Sequence, residues 1–571
     1  MVKFLIGVLT GVILAGLALI ILLFAAVRLA ERPPAIADGS TLVLNLEGDI
    51  PEQAPMSIPL PFFEEKEPLT VSDVWRILRR AETDPRIKAV VLLPGGLNVG
   101  WGKLQEIRGC LARFRKSGKP LVAYLRSART REYYLASAAD RVYMAPEDWL
   151  DVKGLRAEVM YLRKTLDKIG VQVEIEHAGR YKDFGDMFTR TSMSPETREV
   201  LNSILDELFA HLISTVAEGR RKDPNEIRAA IDDGPFLPEE ALKKGLVDAL
   251  VYEDQVYSEL RKRLAQDDLK KLGCRDYLRA VAAERPAGRR IALVVAEGSI
   301  EGGSGDDLSG ESGIYAQRFI RLLRDVAKDE AIRAVVVRID SPGGSSFASD
   351  EIWREMNTLS RAKPVVVSMS DAAASGGYYM AMTGDPVVAY PGTITGSIGV
   401  VFGKVNLRGL YDKLGIQKEM LTRGRFADLD SDYQPLSDAA RKKLRDGIDD
   451  NYRTFVQKVA DARKRKFDEI EPLAQGRVWL GSQAKVRGLV DELGGIDQAI
   501  ELARRKAQVP DTQRVNLVVY PPKRSIVERL LSKSKVSALE SRFRSLTKGV
   551  HINAWIEGGM LRLMPYSVEI K

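Results

Sequence analysis

The chain has 571 residues, enough for two or three domains, and its 45% hydrophobic and 29% charged residues are typical of globular proteins and exclude wholesale disorder. Two cysteines and three histidines exclude a disulfide framework and a four-thiolate zinc site, and they disfavour a multi-histidine metal centre and a Ser-His-Asp enzyme. The net charge of +8 raises an anionic membrane or a nucleic acid as a partner.

The first segment is almost entirely apolar from Phe4 to Val27. A helix of that length spans the roughly 30 Å hydrocarbon core of a bilayer. A cleaved signal peptide is the alternative, and Ala35–Ala37 offers a small-residue cleavage pattern, but the apolar run exceeds the usual length of a signal sequence. We therefore predict an uncleaved transmembrane anchor over residues 1–30, a linker over 31–40, and a soluble bulk outside the cytoplasm.

The rest of the chain contains two copies of one domain. Similar residues recur at a constant offset of 245 positions, as in Tyr133-Tyr134 and Tyr378-Tyr379. Chance matches do not keep one register over such a distance. We predict an N-terminal copy over residues 41–270, a linker over 271–288 and a C-terminal copy over 289–508.

Strand and helix patterns alternate in each copy. Short β-branched runs typical of buried parallel strands occur at Ile291–Val295, Ala334–Ile339 and Val365–Met369. Between them, apolar residues spaced at three and four predict helices over Ile314–Lys328 and Asp350–Arg361. The alternation predicts an α/β domain with a parallel sheet, but it does not choose between a Rossmann-like sheet and other layered α/β folds.

Two glycine-rich turns follow predicted strands in the C-terminal copy. They are Asp340–Ser345, which reads D-S-P-G-G-S, and Ala374–Tyr378, which reads A-S-G-G-Y. Paired glycines let backbone N–H groups point at an anion, either a phosphate or a tetrahedral oxyanion. Neither turn has the spacing of a phosphate-binding loop, and a simple tight turn is the alternative for each one alone.

The two copies differ at residues that can carry chemistry. Ser375 corresponds to Thr130 in the N-terminal copy, whereas Lys182 corresponds to Ala427 in the C-terminal copy. A serine nucleophile needs a neighbouring base, and a buried lysine serves as that base when its amine is neutral. A lone lysine is usually a surface charge. One serine and one lysine kept in opposite copies predict instead a Ser-Lys dyad formed between the two domains.

These motifs resemble the long, duplicated-domain members of the signal peptide peptidase A (protease IV) family, serine peptidases that use a Ser-Lys dyad. The resemblance covers roughly residues 1–510 and includes T-G-S-I-G at 395–399 and G-x-Y-K at 179–182. It implies that Ser375 is the nucleophile, that Lys182 is the general base, and that Ser397 orients the lysine amine. It further implies an oxyanion hole made by backbone N–H groups near Gly343, Gly344 and Gly376.

The same resemblance carries expectations about fold and setting. It implies two tandem crotonase/Clp-protease-like α/β domains preceded by one transmembrane helix. Members of the family cut residual signal peptides in or at the membrane, and the long forms assemble as tetramers. We therefore expect a homotetrameric endopeptidase of the bacterial inner membrane, with its catalytic domains on the extracytoplasmic side. It should act on small apolar peptides beside membrane lipid, with no cofactor, no metal and no nucleic acid.

Two other functions compete with this interpretation. A crotonase-type acyl-CoA enzyme also holds an oxyanion with backbone N–H groups, but it needs neither a serine after a strand nor a lysine in the opposite copy. A non-catalytic scaffold of membrane-protein quality control predicts the loss of Ser375 or Lys182, and both are present.

The tail over residues 509–571 departs from the family pattern. Between Lys523 and Lys548 it has eight basic and two acidic residues, which contribute +6 of the net +8. Apolar residues in this segment could form one stripe of a helix, namely Ile526, Val527, Leu530, Leu531, Leu539, Phe543 and Leu546. The pattern predicts a basic amphipathic helix that lies on an anionic membrane or packs on the protein itself.

Overall fold

A computed structural model describes residues 34–54, 68–284, 288–305, 313–522, 560–564 and 569–570, with isolated positions at 7, 11 and 14. Apart from those positions, the predicted transmembrane anchor lies outside the described residues, as does the predicted basic helix of the tail. Within them, the helix Pro195–Arg220 is long and apolar enough to cross a membrane. Its Val200, Leu208 and Val216 are buried in the core of the N-terminal copy, as in a helix of a soluble domain.

The N-terminal copy is a parallel sheet covered by helices. Its strands are β1 (Ser40–Gly48), β2 (Ile87–Leu97), β3 (Leu121–Leu125), β4 (Arg141–Met144), β5 (Ala157–Glu158), β6 (Gln172–Ala178), β7 (Ala249–Leu250) and β8 (Lys271–Gly273). Its helices are Val71–Thr83, Trp101–Arg115, Thr130–Ala136, Arg163–Ile169, Asp186–Thr189, Pro195–Arg220, Pro224–Asp233, Pro238–Lys243, Glu253–Arg263 and Cys274–Ala283.

The C-terminal copy repeats this arrangement. Its strands, with those of the tail, are β9 (Arg289–Glu297), β10 (Ile300–Glu301), β11 (Ile314–Tyr315), β12 (Ile332–Ser341), β13 (Gly343–Ser345), β14 (Val365–Ala374), β15 (Val387–Ala389), β16 (Ile394–Gly396), β17 (Val400–Asn406), β18 (Val478–Leu480), β19 (Glu492–Leu493), β20 (Val515–Tyr520), β21 (Met560–Leu563) and β22 (Glu569–Ile570). Its helices are Ala316–Lys328, Ser346–Ala362, Gly376–Met380, Arg408–Leu414, Asp438–Arg463, Phe467–Ile470, Gly481–Val486 and Ile496–Lys506, with a 3-10 turn at Glu471–Leu473.

The two main sheets match strand for strand. The first has the order β7-β4-β3-β2-β1-β8, and the second has the order β19-β15-β14-β12-β9-β20, with parallel pairing throughout both paths. The predicted duplication and α/β class are therefore confirmed. β8 lies within the segment assigned to the linker and β20 lies beyond residue 508, so each repeat extends further than its assigned range.

The predicted strands and helices of the C-terminal copy are present with small shifts at their ends. The three predicted strands lie within β9, β12 and β14. The first predicted helix begins at Ala316 instead of Ile314, because the Ile314 N–H donates to the Ser299 carbonyl at 2.7 Å and joins a short strand pairing. The second begins earlier than predicted, at Ser346, where the Ser345 hydroxyl caps the helix.

A third sheet joins the two copies and includes the tail. Its order is β11-β10-β13-β21-β17-β6, and we call it the interface sheet. β6 of the N-terminal copy pairs antiparallel with β17 of the C-terminal copy, from Ala178 opposite Val400 to Gln172 opposite Asn406. Because β6 ends at Ala178, this pairing delivers the turn that follows it to the C-terminal copy.

A buried ionic cluster also holds the copies together. The Arg338 guanidinium on β12 is fully buried and lies 2.9 Å from Glu52 and 3.2 Å from Glu106, both in the N-terminal copy. Nearby, the Lys103 ammonium lies 2.7 Å from the Asp340 carboxylate. Charges buried in this way need fixed partners, and here the partners come from both domains.

Candidate active site

Ser375 lies at the junction between β14 and the short helix Gly376–Met380. Its φ of +53° and ψ of −113° are rare for a residue with a side chain and cost about 1–3 kcal/mol. The surrounding backbone holds it there: its N–H donates to the Gly396 carbonyl, and its carbonyl accepts from the Tyr379 N–H, both at 2.8 Å. This sharp turn fixes the direction of the hydroxyl.

The turn after β6 carries Lys182 into the C-terminal copy. The Tyr181 N–H donates to the Gln475 carbonyl at 2.7 Å. Gly179 and Gly476 are required for this approach, because a Cβ on Gly179 would lie 2.5 Å from the Gln475 carbonyl carbon and one on Gly476 would lie 2.6 Å from Lys182 Cβ. No motif in the sequence marks Gln475 or Gly476 as residues that position the lysine.

The Lys182 amine meets two serines of the C-terminal copy within one chain. Its Nζ lies 2.8 Å from Ser375 Oγ, 2.8 Å from Ser397 Oγ and 2.9 Å from the Ser397 carbonyl oxygen. All three residues are fully buried, with 0% exposed surface. The structure thus brings the predicted nucleophile, base and orienting serine together.

Burial decides the protonation state of this lysine. Complete desolvation holds the pKa of Lys182 well below its usual value, because burial penalises the charged ammonium. The neighbouring Asp183 carboxylate acts in the opposite direction, and the Arg562 guanidinium lowers the pKa of Lys182 further. Asp183 is itself held by the Thr197 hydroxyl, which donates to its carboxylate. The net result favours a neutral amine.

Ser397 is positioned as tightly as the nucleophile. It has a φ of +51°, and its N–H donates to the Arg477 carbonyl at 2.7 Å. Both its carbonyl and its hydroxyl face Lys182 Nζ. The neighbouring Gly399 leaves room for the lysine stem, since a Cβ there would lie 3.1 Å from Lys182 Cδ.

The three predicted oxyanion glycines converge beside Ser375. Gly343 has a φ of +105°, and a Cβ on it would lie 2.8 Å from the Gly376 amide nitrogen. A Cβ on Gly376 would lie 3.2 Å from the Gly344 amide nitrogen. Two backbone nitrogens therefore border one small space next to the serine, where any side chain would intrude. The Arg562 carbonyl oxygen of the tail reaches this space, 1.9 Å from the position of the Gly343 Cβ.

The corresponding positions of the N-terminal copy are occupied differently. The Thr130 hydroxyl donates to the Gly154 carbonyl at 3.4 Å, and Val152 replaces Ser397. Arg131 replaces Gly376, and its guanidinium donates to the Ile570 carbonyl at 2.6 Å. Ala427, which replaces Lys182, is exposed. The serine, lysine and glycines thus meet at only one of the two corresponding places in the described chain.

The polar groups of the site can be compared with those that bind metal ions. Within the described residues, no group of three or more His, Cys, Asp or Glu side chains is arranged to hold a metal ion. The polar groups around Ser375 are an amine, two hydroxyls and backbone amides. This set is suited to acid–base and nucleophilic chemistry.

Known proteins share this sequence pattern. The profile of peptidase family S49 matches residues 113–267 and 357–510, one match in each copy. The chain is 35% identical over 490 residues to "Serine protease SPPA, chloroplastic" of Arabidopsis thaliana, covering 85% of this chain and 71% of that protein. It is 31% identical over 560 residues to "Protease 4" of Haemophilus influenzae, covering 92% of this chain and 89% of that protein.

Solved structures give fainter likenesses. A ClpP1 mutant from Listeria monocytogenes matches 36% of this chain and 94% of its own, at 16% identity and a TM-score of 0.23. A mutant of a membrane-bound stomatin-specific protease matches 42% of this chain and all of its own, at 14% identity and a TM-score of 0.27.

Proposed function

The chain belongs to peptidase family S49 and is a serine peptidase of the signal-peptide-peptidase type, and from the geometry of its site we propose that it works through a Ser-Lys dyad of Ser375 and Lys182. The observation that carries the proposal is the 2.8 Å separation of Lys182 Nζ from Ser375 Oγ in a fully buried setting.

The proton inventory of the site favours a neutral lysine as base. A neutral amine has two N–H donors and one lone pair. The Ser397 carbonyl, 2.9 Å away, can only accept, so it takes one N–H, and the Ser397 hydroxyl at 2.8 Å can take the second. The lone pair is then directed at the Ser375 hydroxyl, which donates its proton to the amine. This is the arrangement that activates a serine.

The reaction follows from these positions. Ser375 Oγ attacks the carbonyl carbon of the scissile peptide bond while Lys182 takes the hydroxyl proton. The negative charge that develops on the carbonyl oxygen lies against backbone N–H groups near Gly343, Gly344 and Gly376. Lys182 then protonates the leaving amine, which leaves an acyl-enzyme. Water, deprotonated by Lys182, attacks the acyl carbon, and the released Ser375 hydroxyl regains its proton.

The setting of the enzyme is part of the proposal. We place it in the bacterial inner membrane as a single-pass protein with its catalytic copies on the extracytoplasmic side, where it degrades residual signal peptides and other small apolar peptides. The apolar run from Phe4 to Val27 and the similarity to Protease 4 of the bacterium Haemophilus influenzae support this setting.

A homotetramer fits the duplicated architecture. Within one chain, β6 of the N-terminal copy pairs with β17 of the C-terminal copy. The segment that corresponds to β6 in the C-terminal copy, residues 417–423, forms no strand and leaves Leu421 94% exposed. If it pairs with residues 155–161 of a neighbouring chain, which correspond to β17, the contact is head-to-tail, the kind that forms a ring of four chains when each is rotated by 90° from the last. Leu421→Lys should then lower the mass of the assembly in sedimentation.

The function is tested with the full-length protein in detergent. A fluorophosphonate probe should label Ser375, located by mass spectrometry of the digested adduct, and wild type should hydrolyse a synthetic signal peptide. Ser203→Ala, which removes a partly buried hydroxyl that accepts from the Gln483 amide at 3.0 Å, is the matched control and should keep both properties. Labelling elsewhere, or signal-peptide hydrolysis that persists in Ser375→Ala, would contradict the proposal.

A further inference from the structure

The strand β21 of the tail fills a gap in the interface sheet. It lies between β13, which contains Gly343 and Gly344, and β17, and it pairs antiparallel with both. Without it, β13 and β17 would face each other across the width of one strand. We call this gap the peptide groove. Such a gap between two strands offers main-chain hydrogen bonds to an extended peptide, as in β-strand addition, and side-chain pockets then select the sequence.

The register places the tail beside the catalytic residues. Gly344 is opposite Arg562, and Gly343 is opposite Leu563. Leu561 is paired on both sides, with Ser345 and with Val401. The Met564 N–H continues the pairing by donating to the Pro342 carbonyl at 2.8 Å. The tail is therefore bound along the turn from Pro342 to Ser345.

The Arg562 carbonyl occupies the space expected for a substrate carbonyl. Its oxygen lies 1.9 Å from where a Gly343 Cβ would stand, and that same position is 2.8 Å from the Gly376 amide nitrogen. Arg562 also lies close enough to Lys182 for its charge to lower the pKa of that lysine. The register thus brings the Arg562 carbonyl, and with it the Arg562–Leu563 bond, to the space beside the Gly376 amide nitrogen.

The Arg562 side chain fills a pocket suited to a basic residue. Its guanidinium lies 3.6 Å from the ring centroid of Tyr379 and 5.3 Å from that of Phe455, and it donates to the Ser346 carbonyl at 3.0 Å. The Asp350 carboxylate accepts from the Tyr379 hydroxyl at 2.5 Å and adds a favourable charge, although it also pairs with the Lys458 ammonium. Burial lowers the pKa of Arg562, and the aromatic faces, the carbonyl and the carboxylate partly offset the cost of burying its charge.

The alternate side chains of the tail strand pack on the opposite face. Leu561 and Leu563 are buried against Phe184 and Val401 in a small apolar cluster. The strand is therefore held by its backbone, by one basic side chain and by apolar neighbours on either side of it. This combination gives both affinity and register to an extended peptide.

From this arrangement we propose that the peptide groove binds extended peptides with a basic side chain in the Tyr379–Phe455–Asp350 pocket, and that the chain's own residues 560–564 occupy it as an intramolecular substrate analogue. A tail in this position would inhibit hydrolysis of other peptides, and that consequence rests on the proposed peptidase function. Occupancy of the groove by the tail does not. Because the tail is tethered, its local concentration is of millimolar order, and an external peptide must displace it.

Binding to the full chain tests this without turnover. The probe is a fluorescent synthetic peptide of residues 558–566, and Ser375→Ala serves as the background that prevents hydrolysis. Adding Arg562→Glu, or Leu561→Asp with Leu563→Asp, should release the tail and lower the Kd of the probe at least tenfold. Arg279→Glu, an exposed arginine elsewhere, should leave the Kd unchanged. Equal Kd values in all of these proteins would overturn the occupancy of the groove.

A second peptide tests the pocket. In the tail-released protein, replacing the arginine of the probe by leucine should raise its Kd at least tenfold, and equal binding of the two peptides would overturn the preference for a basic side chain. With Ser375 restored, Arg562→Glu should raise kcat/KM for a peptide ending in arginine before the reporter group. If no variant hydrolyses any peptide, the proposed function fails, while the binding data still decide the occupancy of the groove.

Discussion

The two copies share one sheet architecture, but they differ in the residues at their equivalent contacts. At the contact that forms inside the chain, β6 brings Lys182 against Ser375. The reciprocal contact would join the Ala427 turn to the Thr130 region, and within a chain these do not meet, since Ala427 is exposed. The chemical groups are kept at one contact and lost at the other. A site across a domain contact takes its serine from one copy and its lysine from the other. The two residues are therefore present together at one contact and absent together at the other.

The largest difference between the copies should appear when the nucleophile is removed. Ser375→Ala should reduce kcat/KM for a peptide ester by about 10³–10⁶-fold, because the acyl-enzyme cannot form. Thr130→Ala, its counterpart, should change kcat/KM by less than about twofold. Steady-state kinetics of the two variants at one pH makes the comparison. A loss of similar size in both would mean that the two copies are catalytically equivalent.

Much of this site could be predicted from the sequence, because the repeat acts as an internal alignment. The offset of 245 residues singled out Ser375 and Lys182 by their absence from the opposite copy. The parallel sheet followed from strand and helix alternation. Gln475 and Gly476 could not be found this way, since their role depends on a contact with a turn almost 300 residues earlier in the chain.

The position of the tail strand β21 could not be predicted from the sequence either. Residues 560–563 read M-L-R-L, a short run with no periodicity of its own, and they pair with Gly343–Ser345 more than 200 residues away. The buried Arg338–Glu52 pair was also missed, because a charged residue in a strand pattern gives no sign of its partner. Sequence patterns report local periodicity, whereas these features depend on tertiary contact.

Removing a charge at the contact between the copies should lower the free energy of unfolding far more than removing one from the exposed surface. Arg338→Met leaves Glu52 and Glu106 buried without their cation and should lower the free energy of unfolding by about 3–5 kcal/mol. Arg163→Met removes an exposed i,i+4 pair with Asp167 and should cost less than about 0.5 kcal/mol. Urea denaturation of both variants measures the difference. Comparable small losses would show that the ionic cluster does not hold the copies together.

A smaller effect is expected at the orienting serine. Ser397→Ala removes one of the groups that hold the Lys182 amine and should lower kcat by about 10–100-fold, with KM little changed. Val152→Ala at the corresponding place of the N-terminal copy should leave kcat within about twofold. An unaltered kcat in Ser397→Ala would remove Ser397 from the positioning of the base.

The pH dependence of Ser375 acylation tests the central claim, that a neutral Lys182 is the base. Only the neutral amine accepts a proton, and burial lowers the pKa of Lys182, so the neutral fraction grows as pH rises through that lowered value. The single-turnover rate constant with a peptide p-nitrophenyl ester should therefore rise between pH 6 and 10 and level off on the alkaline side. Lys182→Arg, protonated throughout this range, should be at least about 10³-fold slower at every pH. A Lys182→Arg protein with near-normal rates and the same pH profile would contradict the account.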